Sequence, residues 1–113
     1  MGLALPVLWT AMDKRGIAVE KIGQWMGSAP AKLAGVTGRK GAITIDADAD
    51  FVVFDPDAEW TVTKDDLRFR HKISPYLGAR VRGRVLETWL RGERVYADGR
   101  CAPEAFGREL VRQ

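Results

Sequence analysis

The chain holds one histidine, His71, and one cysteine, Cys101, thirty positions apart. Zinc is held by three or four His, Cys or carboxylate ligands, so this pair cannot close a metal site on its own. A thiol nucleophile needs a base beside it, and only His71, brought near by folding, could serve Cys101. A surface or hydrogen-bonded histidine and an inert small thiol are the simpler readings. The acidic run Asp46-Ala47-Asp48-Ala49-Asp50 begins like a calcium loop of the form D-x-D-x-D. An EF-hand loop then wants Gly at its sixth position and Glu at its twelfth. Counted from Asp46, those places hold Phe51 and Asp57. The match fails, and the acids are read as turn formers and solvated side chains. No G-x-S-x-G, P-loop or dinucleotide fingerprint occurs. Nothing gathers a nucleophile, a base and an oxyanion site, so no residue is given a catalytic, cofactor-binding or metal-binding role.

The cations are scattered and interleaved with acids. Eighteen Lys and Arg against fifteen Asp and Glu leave a net charge of +3. Arg80, Arg82, Arg84, Arg91 and Arg94 form the one loose cluster. A face that binds an anion or a partner is one reading of it, and a solvated face is the simpler one. Nucleic acid is not an expected partner. Trp9, Trp25, Trp60 and Trp89 sit in amphipathic surroundings and read as packing residues. A lone cysteine cannot close an internal disulfide, which favours a reducing compartment, and no run approaches the roughly 18 apolar residues of a membrane span. The expected setting is cytoplasmic, with no membrane partner.

The elements that would position these residues fall in two groups. Pro6 suits the first turn of a helix. Leu5, Leu8 and Met12 then share a face, and Gly16 stops the run. A second helix is expected over Val19–Met26 on a stripe of Ile22, Trp25 and Met26, ended by Gly27. Ser28 is the expected N-cap of a third, reaching Ala34 and closed by Gly35. From Gly38 the pattern changes to strand and turn. Ala42–Ile45 is a short strand candidate. Phe51–Phe54 reads as a strand buried on both faces and ended by Asp55-Pro56. Trp60–Val62 is another extended piece, and Thr63 caps a short turn after it. Arg84–Arg91 and Arg94–Ala97 make a hairpin around Gly92-Glu93, a pair suited to a type II′ turn, with Asp98-Gly99 turning next. The tail is a weak helix or a loose end. The fold class is α+β, divided as a helical segment 1–37, strands 38–99 and a polar tail 100–113. The helices offer only short apolar faces, and the strand run wants cover that the rest of the chain scarcely supplies.

Several stretches together resemble allantoinases and their dihydropyrimidinase and dihydroorotase relatives. Leu5-Pro6-Val7-Leu8-Trp9-Thr10 is similar to the start of the helix after the last barrel strand. Trp25-Met26 with Pro30-Ala31-Lys32-Leu33-Ala34-Gly35 is similar to the helices that follow. Gly38-Arg39-Lys40-Gly41-Ala42-Ile43 and Asp48-Ala49-Asp50-Phe51-Val52-Val53-Phe54-Asp55-Pro56 resemble the stretch that leaves the barrel and builds a small β-sandwich. Asp46 stands where those relatives usually have Gly, and Asp tolerates the left-handed backbone such a turn needs. Arg70-His71-Lys72-Ile73-Ser74-Pro75-Tyr76 and Arg82-Gly83-Arg84-Val85 narrow the resemblance to allantoinase.

The resemblance implies a (β/α)8 barrel, itself roughly 250 residues, with an accessory β-sandwich. It implies two divalent metals, usually zinc, bridged by a carboxylated lysine. An aspartate acts as base on a bridging water that attacks a cyclic amide. The implied ligands lie on earlier barrel strands, and none maps onto this sequence. The expectation is therefore a C-terminal fragment of an amidohydrolase, the last barrel helices followed by sandwich strands, which needs no cofactor of its own and is inactive alone. The parent reaction is hydrolysis of allantoin in purine breakdown. The missing barrel portion is the expected partner, in a family that is often homo-oligomeric. A docking subunit of a split amidohydrolase and a stand-alone β-sandwich binding module are the alternatives.

Overall fold

Residues 2–110 are described in the computed structural model. Pro6 opens helix α1 (Ala4–Asp13), where its missing N–H has no intrahelical use. The face it buries is Pro6, Trp9 and Met12. The expected face was Leu5, Leu8 and Met12, yet Leu5 and Leu8 stay half-buried. Trp9 decides the rotation. Its ring is 7 % exposed, and its indole N–H donates to Pro56 O at 2.8 Å. A buried indole N–H needs such a partner.

The second helical region is one continuous run rather than two helices. Gly27 and Ser28 do not break it. They lie in a π-helical stretch, Gly23–Ser28, that passes directly into α2 (Ala29–Ala34). Ser28 keeps helical backbone angles and makes no cap, its hydroxyl reaching Gln24 O instead. Trp25 and Met26, placed on an apolar stripe by the sequence, are 44 % and 45 % exposed. Gly35 ends the run in the left-handed conformation, as expected.

Four strands follow: β1 (Phe51–Thr61), β2 (Arg80–Leu90), β3 (Glu93–Ala97) and β4 (Arg100–Cys101). They form one sheet in the order β1-β2-β3-β4, with β2/β3 and β3/β4 antiparallel. This is an α+β fold, with the helices first along the chain. Asp55-Pro56 does not end a strand. β1 runs through it because an edge strand tolerates a residue without an N–H, and the Asp55 carboxylate accepts from the N–H groups of Asp57 and Ala58. Nor is the apolar run buried on both faces. Phe51, Val52 and Val53 are 37 %, 47 % and 40 % exposed, a consequence of the edge position. Ala42–Ile45 forms no strand.

The hairpin exists, with its turn one residue earlier than expected. Leu90 pairs with Glu93, so the loop is Arg91-Gly92. Both residues have positive φ, 49° and 81°. That is the type I′ pattern, whose twist suits antiparallel strands. Asp98-Gly99 repeats it between Ala97 and Arg100. Thr63 caps a 3-10 turn (Lys64–Asp66) through a capping box with Asp66. Beyond β4 the described tail carries no helix, and residues 111–113 of the expected tail lie outside the described residues.

The chain divides into two compact units. The first runs through Val19 and resumes at Phe54–Val85, and the second holds Glu20–Val53 and the residues from Leu86 onward. The first unit has a core of Leu3, Val62, Leu67 and Val81, flanked by Val7, Trp60 and Leu77. In the second, Ala31 is the only buried apolar side chain among the described residues.

Candidate functional site

Two charged arrangements, one in each unit, are the most ordered chemistry of the chain. In the second unit, the Val36 carbonyl accepts from the N–H groups of Arg39 and Lys40 and folds the Gly38–Gly41 turn. Gly41 is obligatory there: a Cβ on it would lie 2.5 Å from the Ala31 Cβ, and its φ is +91°. The turn aims Lys40 inward, leaving its side chain 12 % exposed. Its ammonium donates to Asp48 Oδ2 at 2.7 Å and to Asp50 Oδ2. Arg39 Nε donates to the same Asp48 oxygen at 3.0 Å. Asp50 Oδ1 accepts from the Arg91 N–H at 2.8 Å, and the Gly92 N–H donates to Ala49 O at 3.0 Å. The acidic run is therefore tied to the β2–β3 turn. Asp46, with φ +69°, supplies the left-handed residue that lets the run double back.

Electrostatics settles what this knot can do. Burial alone would pull the Lys40 ammonium down, but the hydrogen bonds and charges of Asp48 and Asp50 outweigh it and hold its pKa above the ordinary lysine value. The hydrogen bond from Lys40, joined by Arg39, holds Asp48 below the ordinary carboxylate value despite some desolvation. A lysine kept this firmly protonated is neither a base nor a nucleophile at neutral pH. Asp48 and Asp50 are occupied by Lys40, so turn chemistry and ion pairing, not calcium, account for the D-x-D-x-D pattern.

In the first unit Arg82 is the centre. Its guanidinium donates to Asp13 at 2.8 Å and to Asp57 at 3.0 Å, and these bonds raise its pKa. Its backbone N–H donates to the Thr10 hydroxyl at 2.8 Å, while that hydroxyl donates to Pro6 O. The next residue, Gly83, lies under two aromatic rings, Phe54 and Trp9, and its carbonyl accepts from the Trp60 indole at 2.9 Å. This set is a clamp between α1 and the strands.

The other four arginines of the sequence cluster are also engaged. Arg80 pairs with Glu59 at 2.9 Å and lowers that carboxyl's pKa. Arg84 lies 4.8 Å over the Trp60 ring. Arg91 donates to Phe106 O, and Arg94 reaches Glu87 and the Trp89 ring. The cluster read from the sequence is thus a series of separate pairings. His71 and Cys101 are both exposed. Around His71, Lys72 donates to Leu67 O and the Tyr76 N–H to the Ser74 hydroxyl, so the motif folds as a local turn.

The metal pair implied by the resemblance does not fit these residues. Among the described residues no three His, Cys, Asp or Glu side chains come together. No described helix is long and apolar enough to cross a membrane. The sequence reading missed the Lys40 knot and the Arg82 clamp. The first had a visible signal, a lysine followed eight and ten residues later by alternating aspartates. The second had none, because Asp13, Asp57 and Arg82 meet only through the fold.

The model of the amidohydrolase family matches residues 9–96. The chain is 42 % identical over 111 residues to the allantoinase of Streptomyces avermitilis, covering 98 % of this chain and 24 % of that protein. It is 41 % identical over 105 residues to the allantoinase of Arabidopsis thaliana, covering 91 % and 21 %. The fold superposes on the L-hydantoinase (dihydropyrimidinase) from Arthrobacter aurescens with a TM-score of 0.81, at 33 % identity, over 88 % of this chain and 22 % of that one. The D-hydantoinase (dihydropyrimidinase) from Thermus sp. gives 0.81 at 27 % identity, over 90 % and 22 %. The chain thus spans less than a quarter of the length of the relatives it matches. By sequence and by fold, the chain belongs to the amidohydrolase family.

Proposed function

We propose that the chain is the C-terminal scaffold segment of an allantoinase-like cyclic amidohydrolase, in which α1, the π-helical run and α2 close a barrel and β1–β4 belong to an accessory sandwich. The observation that carries this reading is identity of about 40 % with allantoinases over nearly the whole chain, against 33 % or less for the hydantoinase structures. The substrate is then a ureide ring of the allantoin type, whose amide C–N bond is hydrolysed. The residues present do not hold the metals for that step, so the chain's part is positional. The Arg82 clamp fixes α1 to its strands, and the Lys40 knot fixes the acidic turn. Alone, in the cytoplasmic setting its lone cysteine favours, the chain is inactive.

The experiment is a graft. This chain replaces the matching segment of the Streptomyces avermitilis allantoinase, and allantoin, hydantoin and dihydrouracil are assayed side by side. The reading predicts allantoin turnover by the graft and none by the isolated chain. A graft that turns over hydantoin or dihydrouracil in preference overturns the substrate. Turnover by the isolated chain overturns the scaffold role.

A further inference from the structure

The β2–β3 hairpin carries an arginine where its backbone favours asparagine, aspartate or glycine. Arg91 has φ +49° at the first central position of the type I′ turn. A bulky residue in left-handed backbone is uncommon, and this one makes two bonds that explain its place. Its N–H donates to Asp50 Oδ1 in the acidic run. Its guanidinium donates to the Phe106 carbonyl in the tail. That tail has little apolar packing to hold it. Residues 102–110 form no helix or strand, and only Ala102 and Phe106 among them are not exposed. The Ala102 N–H donates to Val95 O at 2.8 Å as the tail leaves β4. Pro103, Glu104 and Ala105 then cross exposed to Phe106. Leu90, Arg91 and Glu93 of the hairpin and residues 105–108 of the tail line a cleft of about 370 Å³. A tail packed flat on the sheet would fill that space, so polar bonds rather than apolar burial seat it.

We infer that residues 102–110 are a releasable strap, latched across the β2–β3 turn by the Arg91 guanidinium. Closed, the strap keeps Phe106 half-buried. Open, it frees Phe106, Leu110 and the guanidinium, while the hairpin keeps the Arg91 N–H bond to Asp50. A hydrogen bond from a charged donor favours the closed form by roughly tenfold or more. That is enough to keep a strap shut and too little to make it permanent. Latch and turn use different parts of Arg91, so substitution can separate them. Asparagine and glycine both accept left-handed backbone and both retain the N–H. Arg91→Asn and Arg91→Gly therefore remove the latch and leave the turn.

The test is cleavage of the pure chain by a glutamate-specific protease, followed by mass spectrometry. Glu104 and Glu109 lie in the strap, and Glu59 lies in β1. A latched segment is cut only when it opens, so the rate follows the open population. Cleavage at Glu104 in the wild-type chain should be at least about tenfold slower than in a free peptide of residues 100–110. Arg91→Asn and Arg91→Gly should each restore most of the peptide's rate and leave cleavage at Glu59 unchanged. Arg94→Asn is the control, since Arg94 engages Glu87 and the Trp89 ring. It should leave the Glu104 rate at the wild-type value. A wild-type rate equal to the peptide's overturns the proposal, whether the latch fails or the hairpin does not form. So does a slow rate that both Arg91 variants leave slow, which places the hold in other contacts of the tail. Equal acceleration by Arg94→Asn, or acceleration at Glu59 alongside Glu104 in both Arg91 variants, also overturns it, because the opening is then not that of a latched strap.

Discussion

Replacing Gly83 with alanine should destabilise the first unit more than any other single-methyl insertion there. Two costs add. Gly83 has φ +92°, and an L-residue in left-handed backbone costs about 1–2 kcal/mol. The new Cβ would also lie 2.4 Å from Phe54 Cζ and 2.6 Å from Trp9 Cδ1. Trp9 cannot swing aside cheaply, because its ring is buried and its N–H is bonded to Pro56 O. Overpacking of this kind costs about 1–3 kcal/mol, so the total is about 2–5 kcal/mol. Gly78 is the control. It lies in the same unit at φ +78° with nothing within 4 Å of its Cβ position. Gly78→Ala should show the backbone cost alone, about 1–2 kcal/mol. The assay is urea unfolding of the purified chain followed by tryptophan fluorescence, for which Trp9 and Trp60 lie beside Gly83. A Gly83→Ala cost no larger than that of Gly78→Ala would refute the packing described for α1 against the strands.

Other consequences are as direct. Leu67 is fully buried, so Leu67→Ala should cost about 2–5 kcal/mol by urea unfolding. Leu33, 86 % exposed, should change by less than about 0.5 kcal/mol when made alanine. Asp48 has a lower pKa folded than unfolded, so its contribution is present above its ordinary value of 3.8 and fades as pH falls through its folded pKa. Lys40 has a higher one, so its contribution holds below 10.5 and fades as pH rises through its folded pKa. Urea midpoints against pH should show both limbs, and Asp48→Asn should flatten the acid one. Arg82→Lys keeps the charge and loses the fork that reaches two carboxylates at once. It should lower the urea midpoint more than Arg80→Ala, which removes an exposed pair.

Local chemistry was legible in the sequence at several places where a residue acts on its own neighbours. Pro6 opening α1, Gly35 closing α2, the Thr63 cap and the Asp98-Gly99 turn all came from short-range rules. The left-handed backbone at Asp46 came from the resemblance, in which Gly holds that place. The Gly27 stop and the Ser28 cap were short-range readings that failed, and the other misses came where distant groups decide. The indole bond of Trp9 to Pro56 turned the buried face of α1 away from Leu5 and Leu8. The edge place of β1 carried the strand through Pro56 and left Phe51–Val53 bare. At the hairpin, the Asp50 carboxylate takes the Arg91 N–H, and the loop settles on Arg91-Gly92 rather than Gly92-Glu93. The motif pattern named the family, which the comparisons show. It placed no catalytic residue, and the two charged arrangements that order the chain work as struts.

On the proposed reading this polypeptide supplies support and surface for a metal-dependent hydrolase, and the metal site lies elsewhere. The direct measurement is the zinc content of the pure chain after saturation with zinc and exhaustive dialysis. None should be retained in stoichiometric amount. Two zinc ions held per chain, with allantoin opened at a rate above the free-metal blank, would contradict it.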